Sequence, residues 1–317
     1  MALKDRLRNF KNNNPYALYM WNEWRRRQGQ RQQSGHSDYE FIVKEYKRTT
    51  GYDLNLANPK RFTEKLQWLK LFYRDDCIEE CTDKYTARAY VEKAGHPELL
   101  NTLLGTYGSA DEIDFEALPK KFVLKASHGS GWNIICKDKS QLNWKIYQKI
   151  INSWMKQNLY VYGREWNYQE LHPKIVIEKY IESSNGQLTD YKFFCFNGKI
   201  GFVQVDNDRF SDHKQSYFDC DWNLLPFATG HETREEPCPK QFEKMKELVT
   251  EFSKPFPHVR MDFYEVDRKI YFGEFTFFDG SGFYNYEPDE WDFHWGEKLI
   301  LPEANYNEEL LKQLQEM

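Results

Sequence analysis

The sequence predicts an α+β fold in which a mostly helical N-terminal region precedes two α+β subdomains. Apolar residues recur at helical spacing through roughly the first hundred residues, as at Leu66, Leu69 and Phe72. After Pro119 the pattern becomes strand, glycine-rich loop, strand, helix, strand, and the last third alternates strands with turns. We therefore predict three regions, which span residues 1–118, 119–182 and 183–317.

Composition excludes several classes of protein. Of the 317 residues 17% are aromatic, which gives the chain enough apolar surface to fold and excludes intrinsic disorder. The formal net charge of −5 is a poor match for sequence-independent nucleic-acid binding. No apolar stretch approaches the roughly 20 residues that span a bilayer. The charged residues at the start of the sequence are not followed by an apolar core of the kind a signal peptide has, so no signal peptide is predicted there. We expect a cytoplasmic protein whose six scattered cysteines are reduced.

The N-terminal segment Leu3–Arg31 is predicted to be helical and carries Trp21, Trp24 and the basic run Arg25–Arg27. One interpretation is a solvated helix that packs its tryptophans on the body of the protein. The other is a basic aromatic face that meets a membrane surface or an anionic partner.

Further helices are predicted from apolar periodicity and from capping residues. Thr82 is a candidate N-cap for a helix that ends at Gly95. The other predicted helices are Asp38–Thr49, Thr63–Phe72, Ser140–Asn158 and Lys240–Phe252.

A glycine-rich loop, His128–Trp132, lies between two predicted strands. Its glycines, Gly129 and Gly131, flank Ser130 and would let backbone N–H groups turn toward a bound anion. Lys125 precedes the loop and could neutralise a phosphate there. A plain hairpin turn explains the same pattern.

The last third contains two predicted hairpins. Asn197-Gly198 is a strong two-residue turn signal, and Asp267-Arg268 is the expected turn of the second hairpin. Counting from that second turn places Asp262 and Glu274 nearly opposite each other on one face.

Opposed carboxylates destabilise a strand pair unless a cation lies between them, and Mg²⁺ prefers such hard oxygen ligands. Thr276 and Arg260 share the same face, so Thr276 could add an oxygen ligand. The alternative is a surface salt-bridge network of Arg260 with Asp262 and Glu274. Lys192, on the preceding hairpin, is a candidate phosphate ligand or else a solvated edge lysine.

The ordered set of these motifs resembles the ATP-grasp superfamily, and more narrowly its teichuronopeptide-biosynthesis (TupA-like) branch. The similarity covers roughly Phe62 to Leu301. The matching segments are Thr63–Arg74, Asp83-Lys84 with Arg88–Val91, Phe122–Lys125 before the His128–Gly131 loop, Val176–Ile181, Asp190–Lys192 with Asn197–Lys199, and Arg260-x-Asp262 with Glu274-x-Thr276.

The resemblance implies that ATP and Mg²⁺ are bound between two α+β subdomains. Lys84, Lys125 and Lys192 would contact ATP, and Gly129, Ser130 and Gly131 would close over its phosphates. Glu178 would lie near adenine or ribose, with the backbone of Lys179, Tyr180 and Ile181 reading the base edge. Asp262 and Glu274 would hold Mg²⁺, and Arg260 would stabilise the transferring phosphoryl group. Thr276 departs from the asparagine that many ATP-grasp enzymes carry there.

The activity implied is carboxylate–amine ligation through an acyl phosphate. The carboxylate expected from the resemblance is a uronic acid of a surface polysaccharide or of its nucleotide-sugar precursor, joined to an amine or amino acid. Substrate-side candidates are Arg88, His128, Arg209, His213, Gly280, Ser281 and Gly282.

Two other functions fit the sequence. A glycosyltransferase or a kinase of the same pathway is one, and Asp219-Cys-Asp221 has the spacing of a glycosyltransferase metal motif. A non-catalytic nucleotide-binding partner of an assembly is the other.

Overall fold

The computed structural model describes residues 14–33, 36–183, 188–207 and 214–316. Contacts divide the chain into two compact units. Unit 1 comprises Met1–His36, Asp83–Thr86 and Asn101–Ile181; unit 2 comprises Ser37–Thr82, Ala87–Leu100 and Glu182–Met317. One antiparallel sheet lies in each unit, and helices accompany both, so the α+β class is confirmed. The three-part division remains a prediction.

The bounds of the regular elements follow chain order. The α-helices are α1 (Pro15–Gln33), α2 (Asp38–Thr50), α3 (Phe62–Phe72), α4 (Asp76–Thr82), α5 (Thr86–Lys93), α6 (Trp144–Trp154), α7 (Tyr160–Gly163), α8 (Phe242–Ser253), α9 (Glu290–Lys298) and α10 (Glu308–Glu316). The strands are β1 (Leu103–Tyr107), β2 (Phe122–Ala126), β3 (Asn133–Cys136), β4 (Ile175–Lys179), β5 (Asp190–Phe196), β6 (Lys199–Asn207), β7 (Lys214–Phe218), β8 (His258–Val266) and β9 (Lys269–Thr276).

Unit 1 is built on a four-stranded sheet in the order β1-β4-β2-β3. Alternation along β2 buries Phe122 and Leu124 in a core shared with Ile150 and Trp154 of α6. The opposite face carries the half-buried Lys125 of β2 together with Val176 and Glu178 of β4, which are buried. This sheet therefore has one face packed on α6 and a second face that carries charged side chains.

Two helix predictions in the first half of the chain need correction. The helix predicted over 140–158 is shorter, because the Asp138 side chain accepts the Ser140 N–H and begins a separate 3-10 turn before α6. The prediction that Thr82 is an N-cap is wrong, because Thr82 is the last residue of α4 and its Oγ1 donates a hydrogen bond to the Ile78 carbonyl at 2.7 Å. Asp83 accepts the following backbone N–H groups instead.

Unit 2 is built on a five-stranded sheet in the order β7-β6-β5-β8-β9. Both predicted hairpins are confirmed. Their turns have φ values of 48° and 76° at Asn197-Gly198, and of 51° and 65° at Asp267-Arg268. Two consecutive positive φ values match the right-handed twist of the flanking strands.

The two faces of this sheet have different roles. One face packs on α8, where Phe193 stacks on Phe242 with ring centroids 6.1 Å apart. The other face is apolar at one end, where Phe202 packs on Trp295 of α9. Its other end carries charged side chains from β5, β6, β8 and β9. Burial of the aromatic rings fixes the sheet and thereby the position of that charged end.

Candidate functional site

The charged end of the unit 2 sheet is organised by the β8–β9 hairpin. Asp262 is the direct cross-strand partner of Glu274, and Arg260 is the partner of Thr276. A β-bulge follows Asp262, and Gly273 occupies it because a Cβ there would lie 2.9 Å from the Asp262 carbonyl oxygen. The prediction that the two carboxylates oppose each other is confirmed.

Arg260 is surrounded by three carboxylates. Its Nε donates to Asp262 Oδ1 at 2.7 Å and its Nη2 donates to Asp262 Oδ2 at 2.9 Å. Nη2 also lies 3.4 Å from Glu274 Oε1, and Nη1 donates to Asp279. Burial alone would lower the pKa of Arg260, but the carboxylates outweigh it and raise the pKa. The guanidinium is therefore a fixed cation on this face.

Lys192 is a second buried cation in the same cluster. Its Nζ lies 2.6 Å from Asp190 Oδ2, 2.5 Å from Asp262 Oδ2 and 3.7 Å from Asp206 Oδ2. All four side chains are at most 3% exposed. The alternative of a solvated edge lysine is therefore wrong. Since charge this deeply buried needs a partner, Lys192 holds three strands together by electrostatics.

The donor set fits Mg²⁺ in its usual mode. Within the part of the chain that the structure describes, no three acidic, histidine or cysteine side chains form a metal cage by themselves. Mg²⁺ is usually held by one or two carboxylates together with substrate phosphates and water. Asp262 and the partly exposed Glu274 would supply those carboxylates, and the half-buried Thr276 lies two residues beyond Glu274 on β9.

The loop that follows β9 is held by helix α3. Gly280, Ser281 and Gly282 have φ values of 51°, 56° and 63°. Lys70 Nζ donates to the Ser281 carbonyl at 2.7 Å, and Gln67 Nε2 donates to the Gly282 carbonyl at 2.9 Å. These contacts fix the backbone of a loop whose neighbour, Asp279, binds Arg260.

Sequence reasoning missed four contributors to this cluster. Asp190 was predicted only as part of the matching segment Asp190–Lys192, and no role was predicted for Asp206, Asp279, Gln67 or Lys70. A signal existed for the last two, because polar residues spaced three apart interrupt an otherwise buried helix.

Unit 1 brings Lys84 to the glycine-rich loop. Lys84 Nζ donates to the Gly129 carbonyl at 2.6 Å, and its backbone N–H donates to the Ser127 carbonyl at 3.2 Å. A Cβ on Gly129 would lie 2.1 Å from the Trp132 ring, and Gly131 has a φ of 69°. The loop thus requires glycine at both positions, while Ser130 is exposed between them.

The second face of the unit 1 sheet carries a lysine–glutamate pair. Lys125 Nζ lies 2.8 Å from Glu178 Oε2, with side chains 26% and 10% exposed. Just beyond, the Lys179 N–H donates to the Thr102 carbonyl and its own carbonyl accepts from the Asn101 side chain. The Lys179 backbone is therefore engaged within the unit, whereas Tyr180 and Ile181 follow the end of β4.

The structure places some of the substrate-side candidates. His128 is buried, with Nε2 3.2 Å from the Trp154 carbonyl and Nδ1 lacking a hydrogen-bond partner among the described residues. Burial lowers the pKa of His128, so its imidazole is neutral at pH 7. Arg88 is half-buried on α5. Arg209 and His213 lie outside the described residues.

The motif Asp219-Cys-Asp221 has a local structural role. Asp219 Oδ1 accepts the backbone N–H groups of Asp221 and Asn223 at 2.9 and 2.8 Å. Its Oδ2 accepts from the Asn223 side chain, and these hydrogen bonds lower the pKa of Asp219 against the opposing effect of burial. The Asp219 carboxylate closes a turn, so the turn accounts for the Asp219-Cys-Asp221 spacing without a metal.

Comparison with known proteins identifies the class and then the family. The chain has the ATP-grasp fold, because residues 64–300 match the family described as TupA-like ATPgrasp. This match spans about three quarters of the 317 residues, so the chain belongs to the TupA-like ATP-grasp family. The resemblance predicted from the motifs is confirmed.

Solved ATP-grasp structures are distant from this chain. One is a D-alanine–D-alanine ligase from Bacillus anthracis, with 17% sequence identity and a TM-score of 0.37; the match covers 62% of this chain and 56% of that chain. A second is a D-alanine–D-alanine ligase from Helicobacter pylori, with 13% identity and a TM-score of 0.41; the match covers 77% of this chain and 68% of that chain. A third is N5-carboxyaminoimidazole synthase from Aspergillus clavatus, in complex with ADP and an aminoimidazole ribonucleotide. It has 11% identity and a TM-score of 0.38, and the match covers 64% of this chain and 46% of that chain. The match spans just over half the length of the first of these ligases. No curated protein sequence matches the chain.

Proposed function

We propose that this protein is an ATP- and Mg²⁺-dependent ligase that joins a carboxylate to an amine. The observation that carries the proposal is the opposed pair of Asp262 and Glu274, with the Arg260 guanidinium fixed beside them. Membership of the TupA-like ATP-grasp family supports it. The face combines metal-binding oxygens with a permanent cation, as phosphoryl transfer requires.

The proposed reaction has two steps. A carboxylate oxygen attacks the γ-phosphorus of ATP, the bond to the β-phosphate oxygen breaks, and ADP leaves. The amine nitrogen then attacks the acyl carbon and loses a proton, and the bond to the phosphate oxygen breaks to release inorganic phosphate. Mg²⁺, held by Asp262 and Glu274 and with Thr276 as an additional oxygen donor, would supply Lewis-acid polarisation of the phosphoryl oxygens.

In unit 2 we assign the remaining roles from the contacts. Arg260 stabilises negative charge on the transferring phosphoryl group. Lys192 keeps Asp262 oriented and neutralises the carboxylates behind it, which adds a positioning role to the predicted ATP contact. The backbone of Gly280, Ser281 and Gly282 holds the acyl phosphate, because Gln67 and Lys70 fix its conformation.

In unit 1 we assign the nucleotide contacts. Lys84 and Lys125 bind ATP phosphates, and Gly129, Ser130 and Gly131 form the loop that covers them. Glu178 lies near the ribose or adenine. Because the Lys179 N–H is already used within the unit, Tyr180 and Ile181 are the backbone groups assigned to the base edge.

For the substrates we propose a uronic acid, free, nucleotide-linked or glycan-linked, and an amine or amino acid, acted on in the cytoplasm, where ATP is available. Substrate contacts are assigned to Arg88, His128, Arg209 and His213. The polysaccharide setting is inferred from the resemblance to the teichuronopeptide-biosynthesis branch alone.

The decisive experiment screens uronic acids and amines for nucleotide turnover. Release of ADP and phosphate that needs both substrates supports the ligase. AMP release would contradict the acyl-phosphate route. ADP release that needs only the carboxylate substrate, together with a stable phosphorylated product, would indicate a kinase. ATP binding without turnover in any pairing would favour the non-catalytic binding role.

A further inference from the structure

Helix α1 presents four large apolar side chains to solvent. Tyr16 is 60% exposed, Met20 66%, Trp21 40% and Trp24 51%. Within the described part of the chain these four account for a third of the exposed large hydrophobic residues, although they lie within nine positions. Helical geometry places Tyr16, Met20 and Trp24 on one stripe, with Trp21 beside it. Such a concentration marks an interaction surface.

The opposite face of α1 fixes the helix to unit 1. Leu18 and Tyr19 pack against the apolar core beneath the four-stranded sheet. Glu23 Oε1 accepts a hydrogen bond from Ser153 Oγ at 2.6 Å, and the Tyr162 hydroxyl donates to the Arg25 carbonyl at 3.0 Å. The exposed stripe is therefore held on an anchored helix, and the two tryptophan rings lie 4.9 Å apart.

The sequence segment that contains the stripe is strongly basic. Residues 1–31 contain eight Lys or Arg and two acidic residues, a formal charge of +6, so the remaining residues sum to −11. Arg27 is exposed on the same side of α1 as the stripe, while Arg25 covers the Tyr162 ring and Arg26 pairs with Glu23. This segment has the opposite sign from the rest of the chain.

We propose that α1 docks this protein on the surface of an anionic phospholipid bilayer. Tryptophan and tyrosine favour the interface between lipid and water, and basic side chains near it gain attraction to anionic headgroups. A second copy is a poorer partner, because two segments of charge +6 repel each other. No helix among the described residues is long and apolar enough to cross a membrane. The bound state is therefore peripheral, with α1 lying in the plane of the interface.

The test is sedimentation of the full chain with lipid vesicles. We expect binding to vesicles of mixed phosphatidylglycerol and phosphatidylcholine, weak binding to phosphatidylcholine alone, and loss of binding at high salt. The double variant Trp21→Ser, Trp24→Ser should lower the partition coefficient about tenfold or more. Ile300→Ser is the matched control, because Ile300 is 69% exposed and belongs to unit 2, whereas α1 belongs to unit 1. This variant should bind like the parent.

Two further measurements keep the test decisive. Thermal unfolding should show that the double variant is as stable as the parent, since both tryptophans are partly exposed. Unchanged vesicle binding in the folded double variant would overturn the proposal, as would equal binding to both lipid compositions. If the mass of the protein in solution is that of an oligomer and falls when the two tryptophans are replaced, the stripe would instead be a self-association surface, and the proposal would be overturned.

Discussion

The ammonium of Lys192 lies 2.5 Å from the carboxylate of Asp262 on the neighbouring strand, and both side chains are 3% exposed. Asp262 therefore receives two cations, because Arg260 binds the same carboxylate from its own strand. A metal ligand that is oriented on both sides before the metal arrives loses little freedom on binding it.

Removing this lysine should destabilise the fold. Lys192→Met leaves Asp190 and Asp262 buried with one cation fewer, which should cost about 3–5 kcal/mol in the free energy of unfolding. Urea denaturation measures it. Lys199→Met, at an exposed position of the next strand, should change stability by less than about 0.5 kcal/mol. A stable Lys192→Met protein with only weakened ATP affinity would restrict Lys192 to nucleotide binding.

Glu274→Gln should abolish turnover while the fold survives. The substitution removes a charged metal ligand with little change in volume, and the Glu274 side chain is 31% exposed. ADP release and the thermal midpoint are the two measurements. Glu235→Gln, at an exposed position, should retain activity. Near-parental turnover in Glu274→Gln would disprove the metal assignment.

Lys125→Ala should weaken ATP binding far more than binding of the carboxylate substrate. The Lys125 side chain is 26% exposed on the second face of the unit 1 sheet and is paired with Glu178. Calorimetric titration with each ligand separates the two effects. Lys137→Ala, an exposed lysine just after β3, is the matched control. Equal losses for ATP and carboxylate would contradict a phosphate role for Lys125.

Gly282→Ala should destabilise the protein through two combined effects. The position has a φ of 63°, and an added Cβ would lie 2.4 Å from Gln67 Nε2. Strain of this kind costs about 1–3 kcal/mol, and the clash adds to it. Gly230→Ala isolates the first effect, because Gly230 has a φ of 95° with nothing within 4 Å. Equal losses of unfolding free energy in the two variants would show that the Gln67 side chain moves aside without destabilising the protein.

The buried His258 should make stability depend on pH. Burial lowers the pKa of His258 to about 3, so the folded state keeps it neutral while the unfolded state binds a proton near pH 6.5. Its contribution is complete above pH 6.5 and is lost as the pH falls from there toward 3.

Between pH 7 and pH 5 the loss should be about 2 kcal/mol from this group. Urea unfolding of the parent and of His258→Phe at both pH values measures it, and the difference between their pH slopes is the quantity of interest. Parallel slopes would mean that His258 is protonated in the folded protein.

Prediction from sequence succeeded where short-range chemistry decides the structure. The turns at Asn197-Gly198 and Asp267-Arg268 follow from residues that accept positive φ, and each turn fixes the register of two strands. The glycine-rich loop between β2 and β3 was predictable for the same reason.

Prediction failed where distant segments meet or where a local competitor decides. Gln67 contacts Gly282 across a separation of 215 residues, and no spacing rule encodes such a pair. Thr82 looked like an N-cap, but its hydroxyl bonded back to Ile78 while the neighbouring Asp83 took the capping role.

The bulge at Gly273 decides which side of the sheet Glu274 faces. Beyond the two-residue turn, Phe263 pairs with Phe272, so an unbroken ladder would place Gly273 opposite Asp262 and Glu274 opposite Met261. Met261 is fully buried on the face toward α8, and the glutamate would point into that core. By leaving Gly273 unpaired, the bulge keeps the Glu274 carboxylate out of that core and opposite Asp262. A substitution at Gly273 that removed the bulge by a one-residue register slip would therefore eliminate the candidate metal site without altering any of its ligands.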